Sequence, residues 1–192
     1  MQNLFKFDKL NFITAGMPLR TGKGSYVSAF DVLEEMNLDG MELEFVHGVR
    51  MNNEHRNFVK EKSNNFVITA HGPFYINLNS KEEEKIDASV QRIIDTASVA
   101  SQAGAFSITY HAAFYMGADK ETVYNQVKKQ TKRIIDVLER EKIKVWIRPE
   151  TTGKATQWGN EDEIIRLSKE FEQVLPCIDF SHLHARSAGE YN

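Results

Sequence analysis

Four short apolar runs in this chain lead into side chains that bind metal ions. "FVITA" runs into His71, "FSITY" into His111, "KVWIRP" into Glu150, and "LPCI" into Asp179, with His182 three residues further on. Imidazole and carboxylate together are the donor types of a zinc-type site. One histidine in such a place is more often a hydrogen-bonded core or rim residue than a ligand, and a lone carboxylate is as ambiguous. Four successive runs ending in ligand types weigh against chance. Parallel strands of a barrel open their C-terminal ends on one face, so residues far apart in sequence are expected to converge there.

The elements that must position them follow from periodicity. Strand candidates are "LNFITAG" (10–16), "GMELEF" (40–45), "FVITAH" (66–71), "AFSITYH" (105–111), "IKVWIRPE" (143–150) and "VLPCIDF" (174–180). They are rich in β-branched and aromatic residues, and glycine, proline or polar clusters follow most of them. Between them lie helical patterns. "KEEEKIDASVQRIIDTASVASQA" sets Ile86, Val90, Ile93, Ile94, Ala97 and Ala100 on one face, with Ser80 and Glu83 as a capping box and Gly104 as the stop. "KETVYNQVKKQTKRIIDVLEREK" repeats the pattern with Val123, Val127, Ile134 and Leu138. "NEDEIIRLSKEFEQ" opens on a second box, Asn160 to Glu163, and residues 26–37 and 51–63 supply two shorter helices. The result is an α/β chain of about six βα units in series. A doubly wound sheet and an incomplete (β/α)8 TIM barrel both fit. A full barrel needs about 250 residues and eight units.

The 192 residues suit one domain, residues 1–192. A net charge of −3 excludes a generic basic nucleic-acid coat, though not an enzyme that grips nucleic acid locally. The single cysteine, Cys177, cannot form an internal disulfide, which suits a reducing cytoplasm. No apolar run approaches the roughly 18 residues that span a membrane, and "MQNLFKFDKLNF" lacks the apolar core of a secretory signal.

Weaker features accompany the strand-end set. "GMPLRTGKGS" (16–25) has the composition of a phosphate-binding loop but not its spacing, and Gly24 stands where Ser or Thr would hold magnesium. It reads as a flexible rim loop. Glu42 and Glu44 should point to the same side of their strand, either towards the metal rim or into an ion pair with a rim cation. His47 and His55 read as solvated. Lys128, Lys129, Lys132 and Arg133 read as a solvated outer face, and Trp146 and Trp158 as packing residues.

Taken together, "AHGPFYINLNS" (70–80), "YHAAFYMG" (110–117), "RPETTGK" (148–154) and "CIDFSHLHAR" (177–186) resemble endonuclease IV, the metal-dependent abasic-site endonuclease of DNA repair, in its divergent archaeal-type form. The order and spacing of the motifs agree from about residue 66 to residue 186. The resemblance implies a (β/α)8 barrel with up to three zinc ions that cleaves double-stranded DNA 5′ to abasic sites with a zinc-activated hydroxide. It implies His71, His111 and Glu150 as ligands of one zinc, Glu150 also bridging to a second zinc held with Asp179, and His182 on a third. Glu150 is then the candidate catalytic residue, orienting the hydroxide. Phe74 and Tyr75 take the places where the family pushes side chains into DNA. Such wedges unstack a duplex, and a nucleotide without its base is cheap to extrude.

Three departures from the family pattern stand out. "ITAGMPL" replaces a "GAHVS"-like first-strand segment, and "RPETTG" replaces an "ENTAG"-like one. The family's last two barrel strands, with their histidine, Asp-x-His pair and glutamate, have no counterpart in the 192 residues. On this reading the chain is C-terminally truncated, holds one zinc, and is weakly active or inactive by itself. A sugar isomerase or epimerase of the xylose isomerase-like barrels stays open as an alternative, since Glu150 and Asp179 fit either scheme. So does a non-catalytic metal-binding fragment. An incomplete barrel leaves its first and sixth strands as unpaired edges open to self-association.

Overall fold

The computed structural model describes residues 7, 9–22 and 24–190; Lys23 of the first rim loop lies outside them. Five strands form one parallel sheet: β1 (Ile13–Thr14), β2 (Gly40–Glu44), β3 (Val67–His71), β4 (Ser107–Tyr110) and β6 (Trp146–Pro149). Two short strands, β5 (Ala113–Phe114) and β7 (Gln157–Trp158), pair antiparallel above it. The helices are α1 (Tyr26–Glu35), α2 (Asn53–Lys62), α3 (Glu83–Gln102), α4 (Lys120–Arg140), α5 (Glu161–Glu170) and α6 (Phe180–Arg186).

Strand order decides between the two architectures. The sheet runs β1-β2-β3-β4-β6, and the sixth run joins it through single parallel bridges from Ile147 to Val174 and from Glu150 to Cys177. Spatial order therefore follows chain order throughout. A doubly wound sheet reverses direction at a switch point; this one never does. It is a partial barrel.

Residues on the outer sheet face and the inward stripes of the helices make the core. Met41, Leu43, Ile68, Ala70, Ile108, Tyr110 and Ile147 are all buried, as are the six α3 and four α4 residues that periodicity placed on one face. Gly40 opens β2 because the β3 backbone crosses there: a Cβ would lie 1.8 Å from the Val67 carbonyl oxygen. The inner face is polar. Registers set Glu42 beside Thr69, Glu44 beside His71, His71 beside Thr109, and Thr109 beside Arg148.

Three local expectations need correction. The sixth run is not a continuous strand. Pro176 has no N–H to give, its carbonyl accepts from the Arg148 guanidinium, and Phe180 already belongs to α6. Ser80 and Glu83 do not form a capping box. Glu82 is the N-cap of α3, and its own N–H donates to the Ser80 hydroxyl at 3.2 Å. The first run, 10–16, contributes only Ile13–Thr14 to the sheet. The Asn160–Glu163 box forms in both directions, and Gly104 ends α3 at φ +79°. Among the described residues no helix is long and apolar enough to cross a membrane.

Candidate metal centre

The C-terminal ends of the strands bring five side chains together. His71 is the last residue of β3, His111 follows β4, and Glu150 follows β6. Asp179 and His182 arrive on the N-terminus of α6, which the sixth run delivers beside Glu150.

Glu150 is the centre of the group and is buried, at 7% exposure. Its two oxygens serve different neighbours. Oε2 lies 3.2 Å from His71 Nε2 and 3.3 Å from His111 Nε2. Oε1 lies 3.3 Å from His182 Nδ1, which is itself 3.5 Å from Asp179 Oδ2. Two ligand groups result, His71–His111–Glu150 and Glu150–Asp179–His182, with Glu150 common to both.

The electrostatics match that placement. Burial works against the charged form of Glu150, but the adjoining His111 and His71 imidazoles outweigh it and hold the carboxyl down at about 2. His71 responds in the opposite sense. Burial would lower its pKa, yet the Glu150 contact, the Gly72 carbonyl and the Glu42 charge together raise it above the ordinary value of 6.5.

The first group fits a metal ion on two observations. His71 Nδ1 is 2.7 Å from the Gly72 carbonyl, which can only accept, so Nδ1 carries the proton and Nε2 is directed at Glu150. A ligating histidine is usually fixed in this way by a hydrogen bond from its other nitrogen. His111 Nε2 is buried without a hydrogen-bond partner. It is close to Glu150 Oε2 but out of line for a hydrogen bond, so the contact is electrostatic. A buried nitrogen without a partner costs about 1–3 kcal/mol unless something else takes it up.

The second group is arranged differently. Asp179 is the N-cap of α6, its Oδ1 accepting the His182 N–H at 2.8 Å. His182 Nδ1 lies 2.8 Å from the Thr151 carbonyl, to which it donates, and the same nitrogen faces Glu150 and Asp179.

Phe74 and Tyr75 stand on the loop after β3, at the same end of the sheet, and are 59% and 43% exposed. Their rings meet edge to face at 5.2 Å, His47 packs against Phe74, and the Arg92 guanidinium sits 4.6 Å over the Tyr75 ring. Glu42 and Glu44 do share the inner face but join neither ligand group. Glu42 accepts the Thr69 hydroxyl at 3.1 Å, and burial raises its pKa. The Glu44 carboxylate lies against Gly16, where a Cβ would come within 2.7 Å of it. His55 packs on Tyr26, and Trp158 is fully buried. Lys128, Lys132 and Arg133 form ion pairs with Glu170, Asp136 and Asp87 on the outer helices.

Sequence reasoning missed Thr151 and Arg186. Thr151 is fully buried and bonded to Asp179. Arg186 Nη1 reaches the carbonyls of Lys154 and Gln157 at 2.8 and 3.0 Å, docking α6 onto the loop after Glu150. Only the adjacency of Thr151 to Glu150 hinted at its place.

Comparison with known proteins fits this geometry. An uncharacterized protein of Methanocaldococcus jannaschii is 45% identical over 183 residues, covering 95% of this chain; the chain spans 66% of that protein's length. Among solved structures, a D-tagatose 3-epimerase-like protein superposes with a TM-score of 0.72 at 16% identity, over 95% of this chain and 70% of its own. Endonuclease IV from Thermus thermophilus gives 0.69 at 16%, over 92% and 65%. The IolI protein with a zinc atom gives 0.73 at 11%, over 94% and 66%. At such identities these likenesses speak to the fold alone. Residues 30–192 match the family described as the xylose isomerase-like TIM barrel, and the chain belongs to that family.

Proposed function

We propose that the protein is a metal-dependent phosphodiesterase of the endonuclease IV kind, acting on double-stranded DNA at abasic sites. The observation that carries this reading is the meeting of His71 Nε2 and His111 Nε2 on one oxygen of Glu150, at 3.2 and 3.3 Å. This makes a second ligand group beside Glu150–Asp179–His182. A one-metal sugar isomerase does not need both histidines as ligands. A nuclease that neutralises charge on a phosphoryl group does.

His71, His111 and Glu150 would hold one zinc, and Asp179 with Glu150, and His182, would take part in holding others. Zinc bound there supplies a Lewis acid and a water of lowered pKa. The protein's own part is positional. Glu150 is ionised at neutral pH and turns an oxygen to each side, so it can orient a water by accepting a hydrogen bond from it. His71 is fixed with Nε2 inward by the Gly72 carbonyl. Phe74 and Tyr75, exposed at the rim, are placed to fill the gap an absent base leaves.

A sugar isomerase or epimerase is the second reading. The trio Glu150–Asp179–His182 is by itself a one-metal carboxylate and imidazole set. Bound metal per chain separates the two: one ion favours the isomerase, two or three the nuclease. The decisive assay is cleavage of a duplex with a single abasic site, by protein that includes two further βα units, with zinc supplied and with zinc chelated. Zinc-dependent cutting 5′ to the site is expected, and no cutting under either condition overturns the proposal.

Partners beyond DNA follow from the open sheet. Leu10 and Phe12 beside the β1 edge are 75% and 63% exposed, and Phe180 at the other side is 70% exposed. Exposed apolar edges of this kind pair with further strands, from a second copy or from the rest of a longer chain.

A further inference from the structure

Thr151 follows Glu150 directly and is fully buried. Its hydroxyl grips one residue at two points, accepting the Asp179 N–H at 2.8 Å and donating to the Asp179 carbonyl at 3.2 Å. Its carbonyl accepts from His182 Nδ1 at 2.8 Å, and its N–H donates to the Cys177 carbonyl at 3.0 Å. One residue therefore ties the backbone of Asp179, the ring of His182 and the strand-end position of Glu150 into a single frame.

The need for such a frame is physical. The sixth run joins the sheet through two separate bridges rather than a continuous ladder, and Pro176 interrupts it. Asp179 is only 3.5 Å from the His182 ring, but they sit on a seven-residue helix that the ladder does not anchor. Resting on the metal-binding reading above, we propose that Thr151 is a positioning residue for the Glu150–Asp179–His182 group. Its hydroxyl sets the distance from Asp179 to Glu150, and its carbonyl, accepting from His182 Nδ1, holds that ring against the two carboxylates. Partners that orient ligands in this way typically contribute 10–100-fold in metal affinity.

The test uses the whole chain carrying His111→Ala, so that the group containing Asp179 is read without the other. Metal-free protein is titrated with Co2+, following visible absorption, and urea midpoints are measured in parallel. Thr151→Val should weaken Co2+ binding by about 10-fold, and Thr151→Ser, which keeps the hydroxyl, should restore it to within about 3-fold. Thr151→Ala is a second hydroxyl-free variant should the valine not fold. Unchanged affinity in the folded hydroxyl-free variants, or a loss that follows the urea midpoint rather than the hydroxyl, overturns the proposal. Asp179→Ala checks the reading beneath it. If that variant still binds Co2+ like its parent, the group is no metal site, and both ideas fail for a reason separable from Thr151.

Discussion

His111 Nε2 and Glu150 Oε2 stand 3.3 Å apart at the centre of the rim, yet the histidine nitrogen makes no hydrogen bond. The His111 nitrogen is thus open to a third partner, as the proposed metal site requires.

His111→Ala should therefore weaken zinc binding at the His71–His111–Glu150 group, and so reduce zinc-dependent stabilisation, while sparing the metal-free fold. Zinc affinity is expected to fall by at least about 100-fold, as follows from sharing about 10–16 kcal/mol of binding among three or four ligands. Thermal unfolding with zinc and with chelator checks both halves. A melting temperature that still rises with zinc as in the parent would count against His111 as a ligand.

Stability of the metal-free protein should peak in mildly acid solution. Glu150 is held at about 2 against an ordinary 4.5, so its contribution is present above 4.5 and lost as pH falls towards 2. His71 is raised above 6.5, so its contribution is complete below 6.5 and lost as pH rises through the folded value. The window thus runs from about 4.5 to 6.5. Urea midpoints from pH 3 to 9 with chelator present should show it, and Glu150→Gln should flatten both flanks. Zinc affinity should rise with pH over the neutral range, because the metal must displace the His71 proton.

Phe74→Ala and Tyr75→Ala test the proposed DNA contact separately from the metal. Each should weaken binding to an abasic-site duplex by about 10-fold, on the scale of about 1–3 kcal/mol for an aromatic contact with bases. Zinc affinity and melting temperature should hold, since both rings are largely exposed. Fluorescence anisotropy with abasic and intact duplexes reads the difference; equal binding by all variants would remove these two residues from the interface.

Glu163→Ala tests the scaffold. The Glu163 carboxylate is buried and accepts from the Gly159 and Asn160 N–H groups at 3.0 Å and from the Tyr115 hydroxyl at 2.8 Å. Removing it strands these donors, at about 1–3 kcal/mol for each buried group left unsatisfied. A loss of about 3 kcal/mol in chemical denaturation is expected. Glu163→Gln keeps acceptor capacity and should cost less.

The sequence by itself determined five of the helices, the four central strands and the identities of the candidate ligands. Period-3.6 stripes marked α3 and α4, since burying Ile93 or Val127 on a helix demands that spacing. Strand-end placement singled out His71, His111, Glu150, Asp179 and His182, because a barrel gathers its strand ends on one face. What only the tertiary structure decided was which oxygen meets which ring. The order of strands rejected the doubly wound alternative, and nothing local encodes that order. The break at Pro176 turned an expected strand into two bridges and made Asp179 a helix cap. The two-sided use of Glu150, the unpartnered His111 nitrogen and the grip of Thr151 on Asp179 depend on contacts 28 to 79 residues apart along the chain. Periodicity reports which face a residue takes; side-chain distances across the rim are set by how neighbouring strands register and where their loops turn.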